Sequence, residues 1–359
     1  MANLAASAAE PPATRLAALD GLRGIAALVV LLFHLEQHHG IHSTFAFGYL
    51  AVDFFFLLSG FVLVGPIERR LAERRTSGAR IFVARILRFL PLIALGAAIG
   101  AAVHLLRWPV SQVLPLLVLA WLNIPLGWGG ANGFSLNAPQ WSMFVELVCN
   151  ALHVVLLRHL KVPALLALSL TCGIGLAWSG RQLGSLALGT GFDDILLGLL
   201  RAGFAYPLGI VIGRKQHLLG AIPLAAGWLA PAVLFAAIVA PALLGMTEMM
   251  AESVVSGLFV VVLVVGARTR ITPKSAQTLA WLGAISFPLY AVHFPILEWA
   301  DMLGRGAPPA LRPEIFLGGL IVALGLAHML SRTRLAQGIS LGRWRAPRSN
   351  RADTLARSG

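Results

Sequence analysis

Long apolar runs, separated by short polar or arginine-rich segments, follow one another along almost the whole chain. A hydrocarbon layer about 30 Å thick needs about 20 residues of helix to cross it. The pattern therefore predicts an all-α polytopic membrane protein, a bundle of about ten transmembrane helices. The predicted spans lie at 22–39, 47–66, 89–106, 141–157, 162–178, 194–212, 220–242, 253–267, 279–299 and 315–331.

A further short apolar piece, 113–126, is bounded by Pro109 and Pro125. The predicted loops alternate between the two sides only if the 90–140 region makes one net crossing. The short piece is then a re-entrant or half-depth helix, which a membrane tolerates where protein covers the broken backbone.

The composition excludes a soluble protein. Of 359 residues, 58% are hydrophobic and 12% are charged, and the mean hydropathy is +0.80. Soluble domains are about a quarter charged, so this chain has too few charges to cover a surface that faces water.

The lysines and arginines indicate the orientation. The formal net charge is +13, and the basic residues concentrate at the ends of the apolar runs, as in cytoplasmic loops. The 67–88 connection is predicted to be cytoplasmic, as are both termini, while 38–47, 127–140 and 243–252 contain no Lys or Arg and are predicted to face outward. No soluble basic face is available for nucleic acid. We expect a multi-pass protein of the bacterial inner membrane, with the lipid bilayer as its partner.

We predict three parts along the chain: a flexible N-terminal segment (1–14), a transmembrane domain (15–334) and a basic, disordered cytoplasmic tail (335–359). Arg15 and Arg23 precede the first apolar run, which is longer than the hydrophobic region of a cleaved signal. We therefore expect this run to remain as a signal-anchor.

An ionisable residue inside a span costs a few kcal/mol and usually faces a cavity, and four such residues stand out. They are His34, Asp53, Glu146 and His293. At 1.5 Å of rise per residue, all four lie roughly 8–9 Å below the outer boundary. This common depth predicts a shared polar chamber that opens outward.

Each of the four also has a structural interpretation. His34 can extend toward the outer interface, and Asp53 can lock two helices together by hydrogen bonds. Glu146 can be structural, and His293, which follows Tyr290 in an aromatic stretch, can be a packing residue. The predicted chamber therefore rests on the coincidence of all four.

A metal site is not expected, although His34 and His38 lie one turn apart on one helix face, as zinc ligands do. The metalloprotease pattern needs Glu directly after the first His, and Glu36 is two places on.

Arg85 and Arg88 are candidates for binding phosphate. Their i,i+3 spacing places both guanidinium groups on one helix face, at the predicted cytoplasmic entrance of the third span. Such a pair can hold phosphates through forked hydrogen bonds, although a purely topological role also fits this basic loop. Arg23, about 16 Å inward from His34 along the same helix, is by itself typical of a positive-inside anchor.

Five ordered motifs resemble the acyltransferase 3 family of membrane-bound O-acyltransferases, over about residues 15–331. Each motif alone is weak, and their order makes the resemblance specific. They are Leu19–Gly24 followed by His34, Gly48–Gly60, Arg85–Arg88, Trp141–Glu146 and Ile285–His293.

The resemblance implies a ten-span bundle that transfers an acyl group, usually acetyl, from acyl-CoA as co-substrate. The acceptor is then a hydroxyl of a carbohydrate or glycolipid, such as an exopolysaccharide or surface polysaccharide unit. Arg23 and His34 are implied in catalysis, and Arg85 and Arg88 at the donor. Polysaccharide assembly proteins are further candidate partners.

Acyl transfer to a hydroxyl needs a base to remove its proton. His34 is the predicted base because an imidazole titrates near working pH, and Asp53 or Glu146 is predicted to orient it. An acyl-His intermediate is the alternative. The residues expected to line the substrate pocket are Trp141, Ser142, Tyr290 and His293.

Two other function classes remain. A proton-coupled transporter or flippase of a glycan precursor would use buried acids and histidines as a relay. Many transporters contain two corresponding halves, and no such repeat is found here. A structural partner in polysaccharide export would need no layer of titratable groups, so the sequence favours the acyltransferase.

Overall fold

The structure is a computed structural model, in which the described chain is helical and has no β-strand. The predicted all-α fold is therefore confirmed. Parts of the predicted flexible segment and tail, 1–11 and 338–359, lie outside the described residues. The described residues are 12–40, 43–125, 133–184, 189, 191, 194–221, 228–269 and 271–337.

The α-helices follow one another with short connections. A π-helical turn, Gly65–Arg69, joins α2 to α3, and short 3-10 helices lie at Gly48–Leu50, Leu157–His159, Gln216–Ala221 and Pro309–Leu311. The α-helices are α1 (Pro12–His39), α2 (Ala51–Val64), α3 (Arg70–Ala72), α4 (Gly78–His104), α5 (Val110–Trp121), α6 (Gln140–Val155), α7 (Val162–Leu183), α8 (Ile195–Arg214), α9 (Leu229–Leu243), α10 (Glu248–Arg268), α11 (Pro273–Gly306), α12 (Arg312–Ser331) and α13 (Arg334–Gln337).

Within the described chain, eight helical segments are long and apolar enough to cross a membrane, and each coincides with a predicted span. The other two predicted spans, 141–157 and 220–242, correspond to α6 and α9, which have 16 and 15 residues. Residues 222–227 of the second span lie outside the described residues. At 1.5 Å per residue these helices are about 23 Å long, less than a hydrocarbon layer of about 30 Å. The eight are Ala18–His39, Gly48–Ala72, Gly78–His104, Val162–Leu183, Ile195–Arg214, Glu248–Arg268, Lys274–Gly306 and Pro309–Ser331.

The short piece predicted at 113–126 is the 12-residue helix α5, which begins after Pro109. Its length of about 18 Å is half to two-thirds of a hydrocarbon layer. The last carbonyls of a helix lack partners within it, and here the Gln140 side chain donates to the Ala120 carbonyl at 2.7 Å. Trp121 donates to the Ala94 carbonyl on α4 at 3.1 Å. These two bonds attach the helix to the bundle.

Helix α11 occupies the centre of the bundle and packs against α1, α4 and α12. Close approach depends on glycines, as is usual between membrane helices. A Cβ added at Gly24 of α1 would collide with Leu282 of α11, and one added at Gly96 of α4 would collide with the Ala291 carbonyl. The helices that carry Arg23, His34, Arg85 and His293 are thereby held in contact.

A polar network joins the helices at the end of the bundle where the 67–88 connection lies, which we call the basic end. Arg214 donates to Glu68 at 2.7 Å and to the Leu157 and Leu160 carbonyls at 3.1 and 2.6 Å. Glu68 also lies 3.1 Å from the Nε2 atom of buried His153. Arg214 thus joins α8 to the π-helical turn and to the end of α6.

Candidate functional site

A cavity of about 690 Å³ enters the bundle from the basic end. Its lining extends from Arg70, which is exposed, to Tyr290, which is buried. Helices α1, α2, α4, α6 and α11 all contribute to its walls. The lining residues are Asp20, Arg23, Phe55, Ser59, Val62, Leu63, Pro66, Ile67, Arg70, Ile81, Ala84, Arg85, Arg88, Phe89, Met143, Glu146, Gly283, Ala284, Ser286, Phe287, Pro288, Tyr290, Ser331 and Ala336.

Three of the predicted site residues make this cavity cationic: Arg23, Arg85 and Arg88 all line it. Arg23 forms an ion pair with Asp20 at 2.8 Å. The Nε atom of Arg85 is buried and has no hydrogen-bond partner among the described residues. Buried donors are nearly always paired, so this atom fits an anionic ligand in the cavity.

Glu146 lines the same cavity, which corrects its expected position. Ser59 donates to the Glu146 carboxylate at 2.9 Å. Ser59 follows Asp53 by six residues on α2, so it lies about 9 Å closer to the basic end. Glu146 is therefore deeper than the layer that all four ionisable residues were predicted to share.

His34 and His293 do lie at one level and contact each other. The Nδ1 atom of His34 is 3.1 Å from the Nε2 atom of His293. It is also 3.0 Å from the Val30 carbonyl. The Nε2 atom of His34 forms no hydrogen bond with any residue that the structure describes.

Asp53 does not contact this pair, and the prediction that it orients His34 is wrong. Its carboxylate accepts two hydrogen bonds from Arg201, at 2.9 and 3.1 Å. Arg201 is 2% exposed, and its guanidinium lies 5.3 Å from the Trp141 ring and 5.6 Å from the Tyr49 ring. A buried arginine needs such a partner, so Asp53 is a structural counter-ion.

Arg201 is the residue that sequence reasoning missed. It lies within the predicted span 194–212, seven residues after Asp194 and thirteen before Arg214. A charge so far from both ends of a span is expensive and requires a partner. The position of Arg201 in the middle of a span was therefore sufficient to predict an ion pair with one of the buried acids.

Tyr290 separates the cavity from the histidine pair. Its hydroxyl lies 2.7 Å from the Ser142 hydroxyl, which donates to the Pro139 carbonyl at 3.0 Å. The Tyr290 and His293 ring centroids are 5.7 Å apart, while His34 and His293 do not line the cavity.

The four residues expected in one pocket thus have different positions. Tyr290 forms the end wall of the cavity, and Ser142 supports it. Trp141 packs on the buried arginine, and His293 contacts His34.

No cluster of three or more metal-ligating side chains occurs in the part of the chain that the structure describes.

The fold and this site define a polytopic membrane protein whose cationic cavity ends one helical turn short of a histidine pair. Residues 16–332 match the family described as "Acyltransferase domain", so the chain belongs to the acyltransferase 3 family and is a membrane acyltransferase. It is 35% identical over 163 residues to "Protein 2 in picA locus" of Rhizobium radiobacter, covering 40% of this chain and 83% of that protein. No solved structure matches the chain.

Proposed function

We propose that this protein transfers an acyl group, acetyl in the simplest case, from acyl-CoA to a hydroxyl of a carbohydrate or glycolipid. An exopolysaccharide or surface polysaccharide unit is the proposed acceptor. The observation that carries the proposal is the arginine-lined cavity, which ends at Tyr290 beside the His34–His293 pair.

The cavity suits the donor in size and charge. Its volume of about 690 Å³ lies within the range of about 300–1,000 Å³ for small-molecule sites. The phosphates of CoA are anions, for which Arg85 and Arg88 offer forked donors at the wide, basic end. The pantetheine arm then extends toward Tyr290, past the apolar side chains of Phe55 and Met143.

His34 supplies the base in this proposal. Its Nε2 atom takes the proton of the acceptor hydroxyl as the oxygen attacks the thioester carbonyl. The new C–O bond forms, the C–S bond breaks, and the CoA thiolate leaves and takes up a proton. Attack by His34 itself, to give an acyl-His intermediate, remains the alternative.

We propose that the basic end faces the cytoplasm of a bacterial inner membrane and that both termini lie on that side. The supporting observation is the cluster of arginines in the 67–88 connection, since such loops remain cytoplasmic. Acyl-CoA then enters from the cytoplasm, and the acceptor approaches from the opposite side.

A transfer assay with purified protein tests the proposal. The protein, in lipid nanodiscs, is incubated with radiolabelled acetyl-CoA and with envelope glycans from cells that lack the gene. We expect label in the glycan fraction, and mass spectrometry of glycans from cells with and without the gene identifies the acyl group and the acceptor. Label that remains entirely in acetyl-CoA, with glycan masses unchanged between the two strains, would contradict acyl transfer.

His34→Ala is the first variant for this assay. We expect transfer to fall by about 10²–10⁴-fold, the usual contribution of a general base. His217→Ala is the control, because His217 is exposed in the 3-10 helix Gln216–Ala221 and does not line the cavity. Near-normal transfer by a folded His34→Ala protein would exclude His34 as the base.

A further inference from the structure

We propose that His293 is a positioning residue, which holds the proton of His34 on Nδ1 and leaves the Nε2 lone pair of His34 for the reacting hydroxyl. The inference rests on the proposed function and deepens it, because it assigns the proton on each ring nitrogen. The sequence predicted that His293 lines the substrate pocket, and the inference gives it a different role.

The backbone of α11 determines where His293 carries its proton. Its Nδ1 atom is 3.0 Å from the Leu289 carbonyl and 3.0 Å from the Tyr290 carbonyl. A carbonyl oxygen only accepts, so Nδ1 must be the donor. In a neutral imidazole the other nitrogen is then an acceptor, and the Nε2 atom of His293 presents a lone pair to its neighbour.

The same reasoning applies to His34. Its Nδ1 atom faces two acceptors, the His293 Nε2 atom at 3.1 Å and the Val30 carbonyl at 3.0 Å. The hydrogen must therefore lie on Nδ1 of His34, and the lone pair lies on Nε2. The carbonyls of α11 thus fix the tautomer of His293, and the His293 Nε2 atom acts together with the Val30 carbonyl to fix the tautomer of His34.

The surroundings hold the rings in this arrangement. His293 is 1% exposed, and the Phe33 and Phe294 rings pack edge-on against His34 at centroid distances of 4.9 and 5.2 Å. His38, one turn further along α1, contacts the same Phe294 ring at a centroid distance of 5.1 Å. No carboxylate among the described residues hydrogen-bonds to either ring, so a neutral imidazole takes the place that an acid has in a hydrolase triad.

This arrangement also stabilises the positively charged form of His34 that arises during the reaction. When His34 takes the hydroxyl proton on Nε2, the ring becomes positive and its Nδ1–H bond to His293 becomes charge-assisted, which strengthens it. His293 can accept this bond because its own hydrogen already points to two carbonyls. The proton on Nε2 subsequently passes to the departing CoA thiolate.

Two substitutions at one position separate positioning from packing. In His293→Gln, the amide oxygen can accept from His34 Nδ1, whereas His293→Leu has similar bulk and no acceptor. For His293→Leu we expect kcat to fall by about tenfold or more, but by less than the 10²–10⁴-fold that the whole base contributes. The KM for acetyl-CoA should be unchanged. His293→Gln should retain most of the activity. His217→Leu is the control without loss, because His217 is exposed and does not line the cavity.

Nitrogen NMR of protein labelled with ¹⁵N-histidine reads the tautomer without any assay of activity. In the wild type we expect His34 to show a protonated Nδ1 and an unprotonated Nε2. In His293→Leu only the Val30 carbonyl remains of the two acceptors, and we expect a smaller share of this tautomer. Equal kcat for folded His293→Gln and His293→Leu, or a wild-type His34 protonated on Nε2, would overturn the proposal. If the expected NMR signals appear but no acceptor is acylated, the proposed function fails and the tautomer assignment stands.

Discussion

The Arg201 guanidinium is enclosed by Trp141 and Tyr49, and its charge is balanced by two hydrogen bonds to Asp53. Removing one partner of a buried pair leaves an uncompensated charge, which costs about 3–5 kcal/mol. We therefore expect Asp53→Ala to lower the thermal midpoint of the detergent-solubilised protein by many degrees.

The control for this prediction is Asp301→Ala. Its partner Arg305 is mostly exposed, so the pair contributes about 1 kcal/mol or less. If both variants unfold at the same temperature as the wild type, Asp53 is not the structural counter-ion of Arg201.

Arg85 gives a prediction for donor binding. Its Nε atom has no hydrogen-bond partner among the residues that the structure describes, and Arg85 lines the cavity, which favours a contact with a CoA phosphate. Loss of a charge-assisted hydrogen bond costs about 1.5–3 kcal/mol, so Arg85→Ala should raise the KM for acetyl-CoA by about 10–100-fold and change kcat less. Arg80→Ala, on the exposed first turn of the same helix, should leave KM unchanged. Equal KM values for the two variants would exclude Arg85 from the donor site.

At the residue scale, the sequence singled out several residues that the structure brings together, and it misjudged some of their partners. Arg23, Arg85 and Arg88 meet in one cavity, and His34 meets His293. Distance along a helix estimates depth only, and it cannot give the direction in which a side chain points. For that reason Asp53, whose predicted depth equals that of the histidines, was expected to join them, although its carboxylate is bound to Arg201.

Between elements, the contact of α1 with α11 determines how Arg23 and His34 face the residues of the central helix. A Cβ at Gly24 would overlap the Leu282 backbone, which cannot move aside as the end of a flexible side chain can. Overpacking of this kind costs about 1–3 kcal/mol. Gly24→Ala should therefore lower the thermal midpoint and reduce transfer, as measured by unfolding in detergent and by the acetyl-CoA assay.

Gly257→Ala is the matched control, because nothing lies within 4 Å of a Cβ added at that position of α10. It should be as stable as the wild type, or slightly more stable, since alanine is the better helix former. A Gly24→Ala protein as stable as this control would show that α1 and α11 are less tightly packed than described.

The elements were more predictable than their partners, because apolar length alone defines a spanning helix. The two prolines that bound the short apolar piece, Pro109 and Pro125, were sufficient to predict α5 as a short helix. The end of α6 was less predictable, since the apolar run continues through Leu156 and Leu157, beyond the last residue of the α-helix, Val155. The π-helical turn at Gly65–Arg69 has no clear sequence signal, and it places Glu68 against Arg214.

Across the whole molecule, the cavity and the histidine pair lie on opposite sides of Tyr290, so a donor and an acceptor that approach from opposite ends can meet there. This arrangement helps acyl transfer across a membrane only if the basic end is cytoplasmic, where acyl-CoA is made. The orientation of the bundle is therefore a requirement of the proposed function as well as a consequence of the positive-inside pattern.

Cysteine labelling tests that orientation. In a background with Cys149→Ala and Cys172→Ala, a single cysteine is introduced as Gln216→Cys, next to Lys215, or as Leu244→Cys, in a connection without Lys or Arg. Both positions are exposed, so a membrane-impermeant maleimide can reach either one from its own side. We expect Leu244→Cys to react in intact spheroplasts and Gln216→Cys only after permeabilisation. The reverse pattern would place the arginine-lined cavity outside the cell, away from acyl-CoA, and would contradict the proposed path of the donor.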